Sequence, residues 1–362
     1  MKITLIITGL GMGGAERQVC DLAEQFADKG HQVLLISMTG ETINNPQSAN
    51  IEVAELFMAK TPVGFIKAYS MARQLIKRFQ PDVVHSHMVH ANLFARLLRL
   101  STPMRKLICT AHSSNEGGRG RMLAYRFTDS LCDLNTNVSQ EAVDISVKRR
   151  SAPAKRIIAM HNGIDTVRFT FSHESRVSLR AQLKLVDQTP LILAVGRLTE
   201  AKDYPNLLTA FAQLPYTLDN SQLVIIGTGE EQAPISALAA QLGLTSRVHF
   251  LGLQRNVHEW MSAADVFVLS SAWEGFGLVV AEAMACERVV VATDCGGVKE
   301  VLGDCGILVP PKNSSALVQG LVQGLSFSPE AAKKQGQLAR TRVVQMYSLD
   351  AVINQWLRLY SA

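Results

Sequence analysis

Glu274 and Glu282 stand eight residues apart around the tripeptide Gly275-Phe276-Gly277. On one continuous helix they would differ by about 80° in azimuth and about 12 Å along the axis, too far to grip one small ligand. The glycines predict a break instead, with Glu274 in a loop and Glu282 in a helix that begins near Gly277. Both carboxylates then serve one pocket, and each can accept two hydrogen bonds from a vicinal diol of a sugar or ribose. The N–H groups of Phe276, Gly277 and Leu278 head that helix, where a hydroxyl or a phosphate oxygen binds.

Arg197 and Lys202 follow the apolar run PLILAVG, at the end of a predicted strand. There, Arg grips phosphate oxygens in bidentate fashion and Lys supplies a point charge, which together offset the charge that grows on a departing diphosphate. Taken alone, the two are equally read as surface charges. Near the start, Gly9, Gly11 and Gly14 satisfy G-x-G-x-x-G between a strand and a helix, the dinucleotide pattern. The second predicted strand ends in Ser37, Met38 and Thr39, without the acidic residue that would hold a ribose, which argues against a nicotinamide-dependent oxidoreductase. What remains is a loop whose glycines admit an anionic oxygen to the backbone, or a tight turn with no ligand.

Four histidines fall at strand ends. His85, His87 and His90 lie in PDVVHSHMVH, and His112 follows RKLICTA. The H-x-H pair invites a metal reading, but no third ligand has suitable spacing, and no Asp-x-Asp occurs to hold a metal-bound diphosphate. His112 by itself reads equally as a satisfied histidine at a strand end.

These groups need a scaffold that gathers loops. Apolar β-branched runs alternate with helical-period segments, in the order KITLIIT, 14–28, HQVLLIS, 64–79, PDVVHSH, 89–99, RKLICTAH, 119–129, DLNTNVS, 139–147 and RIIAM. That alternation predicts parallel strands joined by crossover helices. It stops at HNGIDTVRF and a polar stretch, then resumes from PLILAVG to GILVP and closes with two helices near 330–345 and 349–360. The expected architecture is α/β: two Rossmann-like doubly wound parallel-sheet domains facing across a cleft, over 1–165 and 166–345, with 346–362 returning to the first.

Composition agrees with two packed cores. The 362 residues are 47% hydrophobic and 19% charged, too apolar for a disordered chain, and no run reaches the ~20 apolar residues of a membrane span. MKITLIITGL reads as a first strand, since glycines and Glu16 follow where a leader's cleavage site would lie. Six scattered cysteines without a C-x-x-C pair suit a reduced, cytoplasmic protein. The net charge of +5 is uneven, with +6 in 1–165 and −1 in 166–362. Segments 64–79, 91–100 and 119–126 mix Lys and Arg with large apolar residues at helical spacing, which fits either ordinary core-facing helices or helices lying on an anionic membrane. No reader motif or basic aromatic platform points to nucleic acid.

The segment E274-G-F-G-L-V-V-A-E282 resembles the Glu-x7-Glu motif of retaining glycosyltransferases of family 4, which have the two-domain GT-B fold. The resemblance extends over most of the chain: GMGGAER (11–17), TAHS (110–113), NTNVSQ (135–140), HNGID (161–165), VGRL with KDY (195–204), IIGTGE (225–230) and TDCGG (293–297). It implies that Gly13, Gly14 and Gly227 approach the donor, that Arg197 and Lys202 clamp its diphosphate, and that Glu282 holds the ribose while Glu274 holds the transferred sugar. Phe276, Gly277 and Leu278 would complete the donor site, Leu251 and Leu253 would pack the nucleobase, and His112 would stand near the donor sugar. His85, His87 and Asn115 would face the acceptor. The implied reaction moves a hexose or N-acetylhexosamine from a UDP-sugar, with retention and without metal or other cofactor. The implied acceptor is a glycan or an undecaprenyl-diphosphate-linked sugar at the inner membrane face, as in surface polysaccharide or O-antigen assembly. A retaining hydrolase also uses two carboxylates, but has no use for a phosphate clamp. A nucleotide-sugar 2-epimerase of the same fold and a non-catalytic binding module are the other readings.

Overall fold

The computed structural model describes residues 1–11, 13–40, 42–113 and 118–362. The chain divides into two compact units, Met1–Gly163 with Leu349–Ala362, and Ile164–Ser348. The crossings lie two residues before and three residues after the predicted boundaries.

In the first unit the strands β1 (Lys2–Ile7), β2 (Gln32–Ser37), β3 (Ile51–Glu55), β4 (Val83–His87), β5 (Leu107–Ala111), β6 (Leu134–Asn137) and β7 (Ile157–Ala159) form one parallel sheet in the order β3-β2-β1-β4-β5-β6-β7. Its helices are α1 (Gly14–Asp28), α2 (Pro62–Phe79), α3 (Val89–Arg99), α4 (Arg119–Thr128) and α5 (Gln140–Lys148). The near-continuous apolar reading of β1 is explained by burial on both faces, as parallel sheets require. Ile3, Leu5 and Ile7 pack with Val19, Leu22 and Phe26 of α1, while Ile6 joins Ala68 and Ala72 of α2 and Phe94 and Leu98 of α3. The β3 edge strand has no counterpart in the sequence reading. It pairs with β2 alone, and its sequence IEVAE interleaves carboxylates with only two large apolar residues.

The second unit opens with α6 (His173–Gln182), in the polar stretch taken above for a connection. Apolar periodicity does not hold this helix in place. Ser172 caps it by accepting the Ser175 N–H at 3.1 Å, and Arg176 and Arg180 pair with Asp265 at 2.7 and 3.3 Å. The sheet comprises β8 (Leu191–Val195), β9 (Gln222–Ile226), β10 (Val248–Phe250), β11 (Val266–Leu269), β12 (Val289–Thr293) and β13 (Ile307–Val309), parallel in the order β10-β9-β8-β11-β12-β13. Around it run α7 (Tyr204–Ala212), α8 (Gln232–Gln241), α9 (Val257–Ala263), α10 (Leu278–Ala285), α11 (Val298–Leu302), α12 (Ser314–Leu325) and α13 (Pro329–Tyr347). Ile192 and Ala194 of β8 meet Leu207 and Phe211 of α7, Ile235 of α8 and Leu317 and Leu321 of α12 in one core. Strand order reverses between β8 and β11, the position where open α/β sheets bind ligands at their carboxyl edge.

The last helix, α14 (Leu349–Ser361), belongs to the first unit, where Val352, Ile353, Trp356 and Tyr360 join the α1 face of the core. It also seals His85. That histidine has no exposed surface: its Nδ1 lies 2.6 Å from the Tyr360 hydroxyl, its Nε2 lies 2.6 Å from Thr110 Oγ1, and its ring packs 4.4 Å from Trp356. The acceptor-side expectation for His85 is therefore corrected. A ring with both nitrogens occupied beneath a helix is a core group.

Burial, with a smaller effect from His112, lowers the His85 imidazole to about 3. Burial alone lowers His112 to about 4. Burial and its two histidine neighbours hold His87 well below the usual range. The unfolded chain binds protons at these rings near the ordinary pKa of about 6.5 while the folded chain does not, so their contribution to stability is complete above that pH and lost as pH falls through it toward 4 and 3. The urea midpoint of unfolding is expected to fall between pH 7.5 and pH 5, where carboxylates still remain largely ionised. A midpoint that holds or rises over that interval contradicts the neutral burial of these rings.

Candidate active site

At the β8–β11 reversal, two loops are tied together by one ion pair. Lys202 Nζ lies 2.5 Å from Glu274 Oε1, with the two side chains 19% and 14% exposed. The same Oε1 accepts the Ser271 hydroxyl at 2.7 Å. Ser270 donates to the Lys202 carbonyl at 2.8 Å, and the Ala272 N–H donates to the Ala201 carbonyl at 2.9 Å, so the β8–α7 and β11–α10 connections are also joined through their backbones. Thr293, ending β12, donates to the Ser271 carbonyl at 2.7 Å. The Tyr204 hydroxyl reaches the Gly196 carbonyl at 3.1 Å; burial, and secondarily Glu274, raise its pKa, which keeps it a neutral donor. Ser270, Ser271, Tyr204 and Thr293 are organisers to which the sequence reading gave no role, although Tyr204 ends the KDY motif and Thr293 opens TDCGG. For the two serines the signal was the SSAWEG run ahead of Glu274.

Arg197, two residues after the end of β8, is exposed, and among the described residues its guanidinium has no hydrogen-bond or ion-pair partner. Gly227, at the end of β9, has φ of +142°, and a β-carbon there would lie 1.9 Å from the Gly196 carbonyl oxygen. No other residue lets the β8 and β9 ends approach so closely. The Gly227 N–H donates to the Gly252 carbonyl at 2.8 Å, drawing in the segment after β10. Leu251 is half-buried there and Leu253 exposed, an apolar rim two strands from Arg197.

Glu274 lies in the loop and α10 starts after Gly277, whose φ is +87°. Glu282 lies on α10 at 5% exposure, and Leu278 is half-buried at its head. The Phe276 ring is buried edge-on against Tyr347, with centroids 5.5 Å apart, which leaves to a ligand the backbone N–H that the sequence reading assigned to it.

In the first unit, His87 and His112 meet at the carboxyl edge of the sheet, with His87 Nδ1 and His112 Nε2 3.1 Å apart. His85 lies behind them in the core. Asn115 falls outside the described residues. Gly13 caps α1 and Gly14 begins it, but the Glu16 carboxylate occupies the same turn, 2.2 Å from the position of a Gly13 β-carbon. A helix N-terminus attracts anions, and here a carboxylate of the chain already stands on it. A diphosphate approaching Gly13 would have to displace it.

Among the described residues no group of three His, Cys, Asp or Glu could hold a metal ion, and no helix is long and apolar enough to cross a membrane.

Comparisons with known proteins agree with this architecture. Residues 12–168 match the family described as Glycosyltransferase Family 4, and residues 175–342 match Glycosyl transferases group 1. The chain is 26% identical over 374 residues to the N-acetyl-alpha-D-glucosaminyl L-malate synthase of Bacillus anthracis, covering 99% of this chain and 97% of that one. It is 28% identical over 336 residues to the N-acetylgalactosamine-N,N'-diacetylbacillosaminyl-diphospho-undecaprenol 4-alpha-N-acetylgalactosaminyltransferase of Campylobacter jejuni, covering 88% and 89%. The fold matches the crystal structure of Anabaena Alr3699/HepE in complex with UDP at a TM-score of 0.87 and 21% identity, over the whole of both chains. With both of its units matched to glycosyltransferase families and its two parallel sheets shared with solved members, the chain belongs to the GT-B glycosyltransferases of family 4.

Proposed function

We propose that this glycosyltransferase moves a hexose or N-acetylhexosamine from a UDP-sugar to a glycan or lipid-linked acceptor, with retention of configuration and without a metal, in bacterial surface polysaccharide assembly. The observation that carries the reading is the contact between Lys202 and Glu274 at the β8–β11 reversal. A sugar diphosphate carries hydroxyls and negative oxygens within a few bonds of each other, and this pair offers an acceptor and a cation at matching proximity. The complex of Anabaena Alr3699/HepE with UDP supports a uridine nucleotide. The diphospho-undecaprenol named for the Campylobacter relative supports a lipid-linked acceptor.

In the proposed reaction, Lys202 and Arg197 bind the diphosphate and offset the charge it gains as the bond from the anomeric carbon to the phosphate oxygen breaks. Glu274 uses its remaining carboxylate capacity for the sugar hydroxyls. Glu282 takes the ribose, the apolar rim at Leu251 and Leu253 takes the base, and the first unit contributes His112 and the acceptor. The acceptor hydroxyl attacks the anomeric carbon on the face from which the diphosphate leaves, and its proton passes to the departing phosphate oxygen. Preformed charges on Lys202 and Arg197 take the place of a metal in this scheme.

The first unit also suits a membrane surface. In α2 only Ala68, Ala72 and Ile76 are buried, while Val63, Phe65, Ile66 and Met71 are exposed alongside Lys67, Arg73, Lys77 and Arg78. Phe127, near the end of α4, is 79% exposed next to Arg126. An ordinary core-facing helix shows its polar side to water; α2 shows apolar and basic residues together, as interfacial helices do.

Glu274→Ala and Lys202→Ala are each expected to lower kcat/KM at least ~100-fold, as loss of a transition-state contact does. The product's anomeric proton should show by NMR the donor's configuration, with turnover unchanged by a chelator. Near-normal kinetics in both variants would remove the assigned roles, an inverted product would remove retention, and loss of turnover with chelator would remove metal independence. Binding to vesicles containing anionic lipid should weaken steeply with added salt; equal binding to neutral vesicles, or none to either, rejects the membrane surface.

A further inference from the structure

Phe276 is the one residue with a side chain in Gly275-Phe276-Gly277, the tripeptide that separates Glu274 from Glu282. Glycine on both sides leaves this backbone unusually free, and Gly277 uses that freedom at a φ of +87°. The N–H groups of such a loop stay in place only where something outside it takes hold. One grip is on the backbone: the Gly297 N–H donates to the Gly275 carbonyl at 3.1 Å, and Gly296 runs so close that a β-carbon there would lie 2.1 Å from the Glu274 carbonyl oxygen. The other is on the Phe276 ring, which is 3% exposed and set edge-on to Tyr347.

Tyr347 is fastened independently of that loop. It ends α13, whose Ala339 and Val343 have no exposed surface and whose Arg340 donates to the Ala285 carbonyl and, at 3.0 Å, to the Phe169 carbonyl. Its own carbonyl accepts the Ile164 N–H at 2.7 Å, where the chain enters this unit. Its hydroxyl, kept protonated by burial, donates at 2.8 Å to the Glu300 carbonyl of α11, the helix that Gly297 caps. Arg342 lies over the Tyr347 ring at 5.9 Å and donates to the same Glu300 carbonyl at 2.7 Å. Of the two rings, Tyr347 is the anchored one and Phe276 the one that is held. Tyr347 also stands behind both grips, by its ring on Phe276 and by its hydroxyl on α11.

We propose that Tyr347 is a positioning residue for the donor: it seats the loop from Glu274 to Leu278, and with it the N–H groups of Phe276, Gly277 and Leu278 that meet donor oxygens. The donor in this statement rests on the function proposed above; the seating of the loop does not. N–H groups that are already ordered bind an anionic oxygen without the entropy loss of ordering a glycine-flanked loop. Removing the Tyr347 ring restores that loss.

Calorimetry with UDP as the probe tests this in the full chain. In Tyr347→Leu, or in Tyr347→Met where the leucine variant does not fold, the Kd for UDP is expected to rise roughly tenfold to hundredfold, as when one hydrogen bond to a charged group is lost. Tyr347→Phe keeps the ring and leaves Arg342 on the Glu300 carbonyl, so it should stay close to the parent. Phe276→Leu cuts the same contact from the loop side, and the double variant should bind UDP no more weakly than the worse single one; multiplied losses overturn the seating. Val343→Ala, a second buried change on α13, should lower thermal stability with UDP affinity intact, and a loss equal to that of Tyr347→Leu reduces Tyr347 to packing alone. Hydrogen exchange at the Gly297 amide reads the loop with no ligand present. It should quicken in Tyr347→Leu and hold at the parent's rate in Tyr347→Phe; a parental rate in both overturns the proposal. A parent chain that neither binds UDP nor transfers sugar, yet shows this exchange pattern, would defeat the proposed function and leave the seating in place.

Discussion

Lys202 and Glu274 are 72 residues apart in the chain and in contact in the fold. What brings them together is the reversal of strand order between β8 and β11, which sends one crossover to each side and leaves the loops after the two strands facing each other. At 19% and 14% exposure either charge alone would carry a desolvation cost, which the contact between the two offsets. Ser271 and the Ala272–Ala201 backbone bond then fix the two loops so that the charges meet a ligand already oriented.

Close approach of backbone at the sheet edge is the second constraint. Gly227 admits the Gly196 carbonyl where any β-carbon would collide, and its N–H ties the β9 end to Gly252. The strand ends form a low rim of carbonyls and N–H groups, and Arg197 follows β8 there as an exposed cation. Charge on this rim comes from side chains whose positions are set by glycine. A β-carbon at Gly227 would also lie 3.6 Å from the Arg197 backbone nitrogen, so a change there would displace the segment that carries Arg197.

The first unit solves a different problem with the same sheet type. Its histidines at the ends of β4 and β5 are neutral because they are buried, and α14 returns to cover His85 through Trp356 and Tyr360. Polar groups in that core are satisfied by one another: Tyr360 with His85, His85 with Thr110, Thr110 with Thr136 at 2.6 Å. Such a chain of short contacts sets a single arrangement of the β4 and β5 ends.

Much of this was legible in the linear sequence because its causes are local. Alternating β-branched runs and helical periods specify parallel strands and crossovers wherever both faces of a strand are apolar, and the Gly275-Phe276-Gly277 break separates Glu274 from Glu282 by the conformational freedom of glycine. The residues that escaped are held by partners distant in the chain. β3 is a strand because β2 offers it an edge, and α6 is a helix whose arginines reach Asp265, some 85 residues on. His85 and His87 have the same type and lie two residues apart on the same strand face, yet only tertiary packing seals the first beneath α14 and leaves the second against His112. Residue type and spacing determined which groups could do chemistry. Which of them are buried, paired or aimed at a ligand was decided by contacts across the sheet, because desolvation and hydrogen bonding depend on surroundings that only the folded chain assembles.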